Sequence, residues 1–534
     1  MRRSPFAALA LTAALTVTAL PATALSASAS SGNAGVAGHH RPPHGGGHHG
    51  GRPGTALDVA QLRRYAADTW KSLAAMADPA TGLPADNISG DLTTPNHSTS
   101  PTNIATYLWS TVVARDLGLI SAQDATDRVS KALTSVGKLA RHDPSGQFYN
   151  WYDQTTLQPV PGKQFLSSVD NAWLAATLMM LRNAVPAASA KASALLAPMD
   201  FSWYFDPKGG ANPGTGAMRG GFWATDPGGC SIKGNYPGKG ADVYYTCHVY
   251  GAPGETRIAT YVGIARGQIP ATAYFGQLRT MGDDGCTTAS QTQKPQGTTR
   301  TYLGVPVYEG TYGYRGARFV PTWGGSMFEE LMPNILVPEQ SWAPNSWGRN
   351  FPAYVNGQIQ HGMAEAGYGY WGFSPSNDPY GGYRAYGVNM LGMGGYSSDE
   401  EGHKTDPGYA GCRDPQPEPA YGDGIVTPHA SFLALPYAPE AAQANLANLK
   451  AHFDAYGPGG FYDSVGVRSG KVSKRYLALD QGMVMGQLGN VLAGHDLQRY
   501  FAPGEVTATL KPLLGLERWD VGPSGRTAAP SGGN

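Results

Sequence analysis

The chain has 534 residues, with 39 Lys and Arg against 39 Asp and Glu, so its formal net charge is zero. With no excess of positive charge to neutralise phosphates, nucleic acid is not an expected partner. At 41% apolar residues the chain can bury a large core, which excludes wholesale disorder, and its 72 Gly show no three-residue period, which excludes collagen.

Residues 1–30 read as a secretory signal. Arg2 and Arg3 precede an apolar run from Phe6 to Leu20, and small residues then lead to cleavage sites after Ala24 or Ala29. The paired Arg leaves general secretion and the twin-arginine route both open. No later run is long and apolar enough to span a bilayer. The mature protein is therefore expected to be secreted, extracellular, monomeric and without a membrane partner. Residues 31–54 are rich in Gly, His and Pro, with His39, His40, His44, His48 and His49 among them. This composition reads as a flexible linker, with weak metal binding as the alternative. A catalytic domain is expected over 55–520 and a loose tail over 521–534.

Helical periodicity recurs through 55–520. Asp58 to Met76 places Leu62, Tyr65, Ala66, Thr69, Trp70 and Leu73 on one stripe. Ile104 to Leu117 follows, with Thr102 or Asn103 as its cap, then Ala122 to Ala140, a helix opened by Asp170, and Ala188 to Leu196. Glu255 begins the next, which Gly267 ends. Ser326 to Leu331, Phe351 to Ala366, Ala430 to Leu435, Pro439 to Tyr456 and Asp480 to Leu492 complete the series. Strand signals are brief, as in 243–250. About a dozen helices without a hinge predict an all-α fold, an α/α toroid. The loops between them are unusually long and hold Gly beside Trp and Tyr, which marks them as functional.

Four cysteines are present: Cys230, Cys247, Cys286 and Cys412. With an export signal an even count reads as two disulfides, and three pairings are open. Cys230 with Cys247 is favoured because it closes a short Gly/Pro-rich loop, which leaves Cys286 with Cys412. No C-x-x-C occurs, and no metal site or cofactor is expected.

The chain has no G-x-S-x-G elbow, P-loop or H-E-x-x-H. What remains are carboxylates among aromatics, and glycosidic hydrolysis needs two of them, an acid and a base or nucleophile. The acid must keep its proton near neutral pH, which an apolar or acidic setting supplies. Trp151, Trp223, Trp371, Tyr383 and Tyr386 lie in Gly-rich loops and read as sugar platforms. Trp173 lies in an apolar helix and reads as core. Arg384 can donate paired hydrogen bonds to sugar hydroxyls or pair with Asp378.

Nine ordered segments carry a family resemblance. They include TSPTNIATYLWSTVVARDLGLIS (99–121), FYNWYDQTTLQPV (148–160), SSVDNAWLAATL (167–178), GETRIATYVGIARGQIP (254–270) and WGGSMFEELMP (323–333). YWGFSPSND with YRAYGV (370–388), TPHASFLALPYAPE (427–440), GGFYDSV (459–465) and LDQGMVMGQLGN (479–490) follow. Together, over roughly 60–500, they resemble the glucoamylase-like domain of bacterial endo-β-1,2-glucanases and the transglycosylating domain of cyclic β-1,2-glucan synthases. The resemblance implies an (α/α)6 toroid barrel with its cleft at one end. It implies Glu255 as general acid, with Asp378 or Asp480 activating water. Asp153 and Asp170 read either as cleft residues holding sugar hydroxyls or as caps. Glu329 and Glu330 read as packing or ion-pair residues as readily as catalytic ones. Synthase-type relatives carry a Glu where this chain has Pro375, which favours an inverting scheme. The expected function is hydrolysis of a neutral β-glucan, β-1,2-linked first, with an oligo- or polysaccharide as partner. A non-catalytic carbohydrate-binding protein and a polysaccharide lyase are the alternatives.

Overall fold

The computed structural model describes residues 57–212, 214–281, 293–393 and 421–523. The chain divides after Leu57, and all that follows concerns the unit that begins at Asp58. The expected export signal and linker, Cys286, Cys412 and most of the expected tail lie outside the described residues.

Fourteen α-helices are described: α1 Val59–Met76, α2 Pro101–Asp116, α3 Ala122–Val136, α4 Ser168–Ala184, α5 Ser189–Leu196, α6 Arg257–Ala265 and α7 Met327–Leu331. They continue with α8 Glu339–Trp342, α9 Trp347–Gln360, α10 Pro428–Leu433, α11 Pro439–His452, α12 Ala478–Leu492, α13 Asp496–Phe501 and α14 Glu505–Leu514. Side-chain caps fix several starts. Asp58 accepts from Gln61 N, Ser100 from Asn103 N, Ser121 from Asp124 N, Ser167 from Asp170 N and Ser326 from Glu329 N. α2 begins earlier than its apolar periodicity predicts, because Ser100 caps it and Pro101 is preorganised for its first turn.

Two helix types separate by burial. α2, α4, α6, α7, α10 and α12 are buried on nearly every side. α1 and α3 are amphipathic, with one stripe inward. The buried helices follow one another: α12 packs on α2, α2 on α4, α4 on α6, and α10 on both α12 and α7. α6 reaches α7 through Arg257, which donates to the Glu329 and Glu330 carbonyls. Against them lie α1 and α3 on α2, α5 on α4, α14 on α6, α9 on α7, and α11 on α10.

The α12–α2 contact shows how sequence sets this packing. Gly482, Gly486 and Gly489 form a stripe on α12. A Cβ there would come within 2.3 Å of Thr106, 2.7 Å of Ile335 and 2.5 Å of Val113. Only glycines let the two backbones approach so closely, and Trp109 Nε1 then donates to the Gly482 carbonyl at 2.8 Å. This contact holds the first turn of α12, and with it Asp480, against α2.

The all-α expectation needs amendment. The long loops carry short antiparallel pairings, grouped into nine small sheets among the described residues. The longest joins Gln296–Tyr302 to Val305–Tyr314. Its turn is Leu303-Gly304, both at positive φ (49° and 81°), as a two-residue hairpin requires. Another sheet orders 231–234, 243–246, 221–223 and 166–167 side by side. The Cys230–Cys247 disulfide staples its outer hairpin, which is the favoured pairing of the sequence reading. Among the described residues no helix is long and apolar enough to cross a membrane.

Candidate active site

The chemistry gathers at the N-terminal ends of the buried helices. Asp170 is the third residue of α4, Glu255 stands two residues before α6, and Glu329 is the third residue of α7. His429 is the second residue of α10, and Asp480 the third of α12. Each group thus lies in or just before the first turn, at the same end of its helix.

On the α4–α6–α7 side, burial first, then the charges of Glu329 and Asp170, raise the Glu255 carboxyl to about 8. Glu255 therefore keeps its proton at neutral pH, yet it is only partly buried and meets solvent. Its frame is set by Arg257, which is fully buried. The guanidinium forks onto Glu339, Nε to Oε1 at 2.6 Å and Nη2 to Oε2 at 2.8 Å. It also donates to the carbonyls of Gly254, Glu329 and Glu330, and lies 4.1 Å over the Trp347 ring. One cation thus ties the residue before Glu255 to the helix that carries Glu329. Glu329 Oε2 accepts from Gly324 N at 2.9 Å. Asp170 accepts from Thr102 Oγ1 at 2.6 Å and Asn150 Nδ2 at 3.0 Å, and its carboxyl is raised by burial. Glu330 is enclosed instead: Asn350 Nδ2 donates to it at 2.7 Å, and burial raises it to about 8.

On the α10–α12 side, Asp480 and Asp463 are both buried and within hydrogen-bonding reach of each other. Burial raises both, and the Asp480 charge raises Asp463 further. Two carboxyls so placed do not readily ionise together. His429 Nδ1 lies 3.0 Å from Asp480 Oδ2, off the direction of a hydrogen bond. Burial lowers this imidazole to about 4, so it is neutral. Asp480 Oδ1 and Oδ2, Asp463 Oδ1 and both His429 nitrogens have no hydrogen-bond partner among the described residues. Buried polar atoms without partners mark a place that water or a ligand completes. Asp86, held by Asn87, Asn96 and Asn103, adds a third carboxylate whose charge bears on Asp480.

Tyr383 links the two sides. It is 42% exposed, but burial of its phenol, then the charges of Asp480, Asp463, Asp86 and Glu255, push its ionisation far up. Its hairpin is anchored at the carboxyl pair, because Asn377, opposite Tyr383 in register, donates its N–H to Asp463 Oδ2 at 2.6 Å.

Other expected site residues fall elsewhere. Asp378 is engaged within its own hairpin, accepting from Tyr380 N at 2.6 Å, Tyr386 Oη at 2.8 Å and Arg384 Nε at 2.5 Å. Asp153 Oδ1 closes a turn onto Thr155 and Thr156. Trp223 is half-buried against Phe165, and Trp151 is half-buried. Trp371 and Tyr386 are each 2% exposed, so neither offers a face for a sugar, a correction to the platform reading. Trp173 is core, edge-on to Trp109. The sequence reading did not single out Asp463, His429 or Asp86. For Asp463 the available signal was an acid set directly behind Gly-Gly-Phe-Tyr.

Comparison with known proteins places this arrangement in context. Residues 299–502 match the family described as "Putative glucoamylase", and residues 64–204 match one described as a protein of unknown function. A 126-residue stretch is 30% identical to the cyclic beta-(1,2)-glucan synthase NdvB of Rhizobium meliloti, covering 23% of this chain and 4% of that protein. Among solved structures, an endo-beta-1,2-glucanase from Chitinophaga pinensis in complex with sophorotriose and glucose superposes with a TM-score of 0.60 at 17% identity, covering 86% of this chain and 98% of that one. An endo-beta-1,2-glucanase mutant from Talaromyces funiculosus with beta-1,2-glucan gives 0.57 at 12% identity, over 85% and 90%. A beta-1,2-glucanase from Parabacteroides distasonis gives 0.62 at 15%, over 86% and 61%. The fold is shared with these proteins, and the glucoamylase-like resemblance read from the sequence is borne out.

Proposed function

We propose that the protein is a secreted glycoside hydrolase that cleaves a neutral β-glucan, with β-1,2-linked glucan as its first substrate. The observation that carries this is Glu255, a carboxyl held protonated at neutral pH and open to solvent, together with a buried Asp463–Asp480 pair beside His429, carboxyls that like Glu255 bear on Tyr383. The glucanase names of the superposed structures and of the synthase stretch support the substrate. The order of buried helices, with a second set packed outside, supports the (α/α)6 toroid as the frame.

In this reading Glu255 gives its proton to the glycosidic oxygen as the C1–O bond breaks. Water attacks C1 and passes its own proton to whichever of Asp463 and Asp480 is ionised. Neutral His429 fills space beside the pair without competing for that proton. Asp170 and Glu329 keep the acid protonated by their charge. In this reading Asp463, not Asp378, stands as the alternative to Asp480, because Arg384 and Tyr386 already occupy Asp378.

The test is purified protein against a linkage-resolved glucan panel, with products identified by NMR. Short β-1,2-linked products are expected. Cleavage confined to another linkage, or an unsaturated lyase product, overturns the reading.

A further inference from the structure

The fully buried carboxylates of Glu339 and Glu517 are each met by an arginine, Arg257 at 2.6 Å and Arg279 at 2.5 Å. Asp86 is held differently. Its Oδ1 accepts from Asn103 Nδ2 at 3.0 Å, and its Oδ2 from Asn87 Nδ2 at 3.0 Å and Asn96 Nδ2 at 3.3 Å. Two of these amides are oriented by donors of their own. Arg475 Nη1 donates to Asn87 Oδ1 at 2.5 Å and Ser98 N to Asn96 Oδ1 at 3.2 Å, so each turns its NH2 toward Asp86. Neutral donors favour the ionised carboxylate without cancelling its charge. Two exposed cations face this cage, Arg475 through Asn87 and Lys163 through its charge, and water screens both.

The backbone ties the cage to the carboxyl pair. Ala478 N donates to the Asp86 carbonyl at 2.7 Å, and Asn87 stands opposite Leu477 in register. Asp480 follows two residues after Ala478, in the first turn of α12. Asn103 reaches Asp86 from the start of α2, the helix that packs on α12. Asp86 and Asp480 are thus fixed on one frame. The titratable groups that face Asp480 are Asp463, His429, the Tyr383 phenol and Asp86. Burial raises the Asp86 carboxyl and the three amides work against that rise, while the Asp86 charge in turn raises Asp480.

We propose that Asp86 is a positioning residue for hydrolysis, an uncancelled negative charge fixed beside the carboxyl pair that makes Asp480 a stronger acceptor for the proton of the attacking water. The proposal rests on the glycan reading above and adds to it the group that tunes its base. Asp86 exchanges no proton with the water itself.

The test is the pH–rate profile of β-1,2-glucan hydrolysis, read as reducing-end release, for wild type, Asp86→Asn, Asp86→Ala and Asn96→Ala, with thermal melting to verify each fold. Hydrolysis needs an ionised base, so activity rises with pH through an acidic limb. Without the Asp86 charge Asp480 is a weaker base, and the limb should move to lower pH by about one unit. On the plateau kcat should fall by less than the ~10²–10⁴-fold that marks loss of a general base. Asp86→Ala removes the charge without setting amide against amide, and carries the test if Asp86→Asn does not fold. Asn96→Ala opens the same cage but keeps the charge, and its limb should stay with wild type. A limb that is unmoved, or moved to higher pH, in a folded Asp86 variant overturns the proposal. So does an equal movement in Asn96→Ala, which marks a structural role. A kcat loss in Asp86→Asn as deep as in Asp480→Asn also overturns it, by making Asp86 the base. Each of these leaves the hydrolase reading intact, whereas no hydrolysis by wild type overturns that reading and the proposal together.

Discussion

Replacing Glu255 by Gln tests both the chemistry and the electrostatics of the site. The substitution keeps the shape but cannot donate the catalytic proton, so kcat should fall by about 10²–10⁴-fold. Its effect on stability should depend on pH. The native carboxyl sits at about 8 against an ordinary value of 4.5, so the folded state holds its proton more tightly than the unfolded chain. At pH 4 both states are protonated, and wild type and variant should be equally stable. Between those two values the unfolded chain has lost the proton while the folded one keeps it, and wild-type stability falls as pH rises. At about 1.4 kcal/mol per pH unit the ceiling is ~5 kcal/mol. Solvent screening of this partly exposed group reduces this to about 2 kcal/mol. Thermal melting of both proteins at pH 4 and pH 9 reads the difference, with the variant gaining about 2 °C only at pH 9. Parallel melting curves at both pH values would refute the claim that burial and neighbouring charge hold Glu255 protonated.

Four further expectations follow from the same geometry. Glycosidase activity should decline as pH rises through about 8, and Glu329→Gln, by removing a repelling charge, should move that decline to lower pH in a pH–rate profile. Asp463→Asn and Asp480→Asn should each lower kcat by about 10²–10⁴-fold, whereas Asp378→Asn should retain more activity; the reverse ranking returns the base to Asp378. Glu339→Gln leaves a fully buried guanidinium without its carboxylate and should cost about 3–5 kcal/mol in chemical denaturation. Opening the Cys230–Cys247 staple by Cys247→Ser should cost about 3 kcal/mol in the chain-entropy account of a loop this size.

Much of the frame was legible because helical burial writes itself at a period of 3.6. Leu62, Tyr65, Ala66, Thr69, Trp70 and Leu73 were placed on one inward stripe, and all six are buried. Glu255, Asp170 and Asp480 were legible as carboxylates at helix starts, and the structure brings each to the end where the charged side chains gather. Trp371 and Tyr386 were misread because Gly-rich surroundings suit a tight buried turn as well as an open loop. Asp378 is held by Tyr380, Arg384 and Tyr386, all within eight residues; the pairing with Arg384 is one of the two readings the sequence offers, whereas the hairpin that makes it is not. Asp463 and His429 were missed for the opposite reason. Their meaning comes from Asp480, 17 and 51 positions away, and only the packed helices bring the three together. The 296–314 hairpin was passed over because its strands lie amid Gly and Thr that also read as loop.

The central claim is that Glu255 is the proton donor of a β-glucan hydrolase. Reducing-end release from linear β-1,2-glucan, measured side by side for wild type and Glu255→Gln at pH 6, tests it most directly. The account predicts steady release by wild type and none above background by the variant, with both proteins folded. Equal release by the two proteins, or none by wild type from any β-glucan, contradicts it.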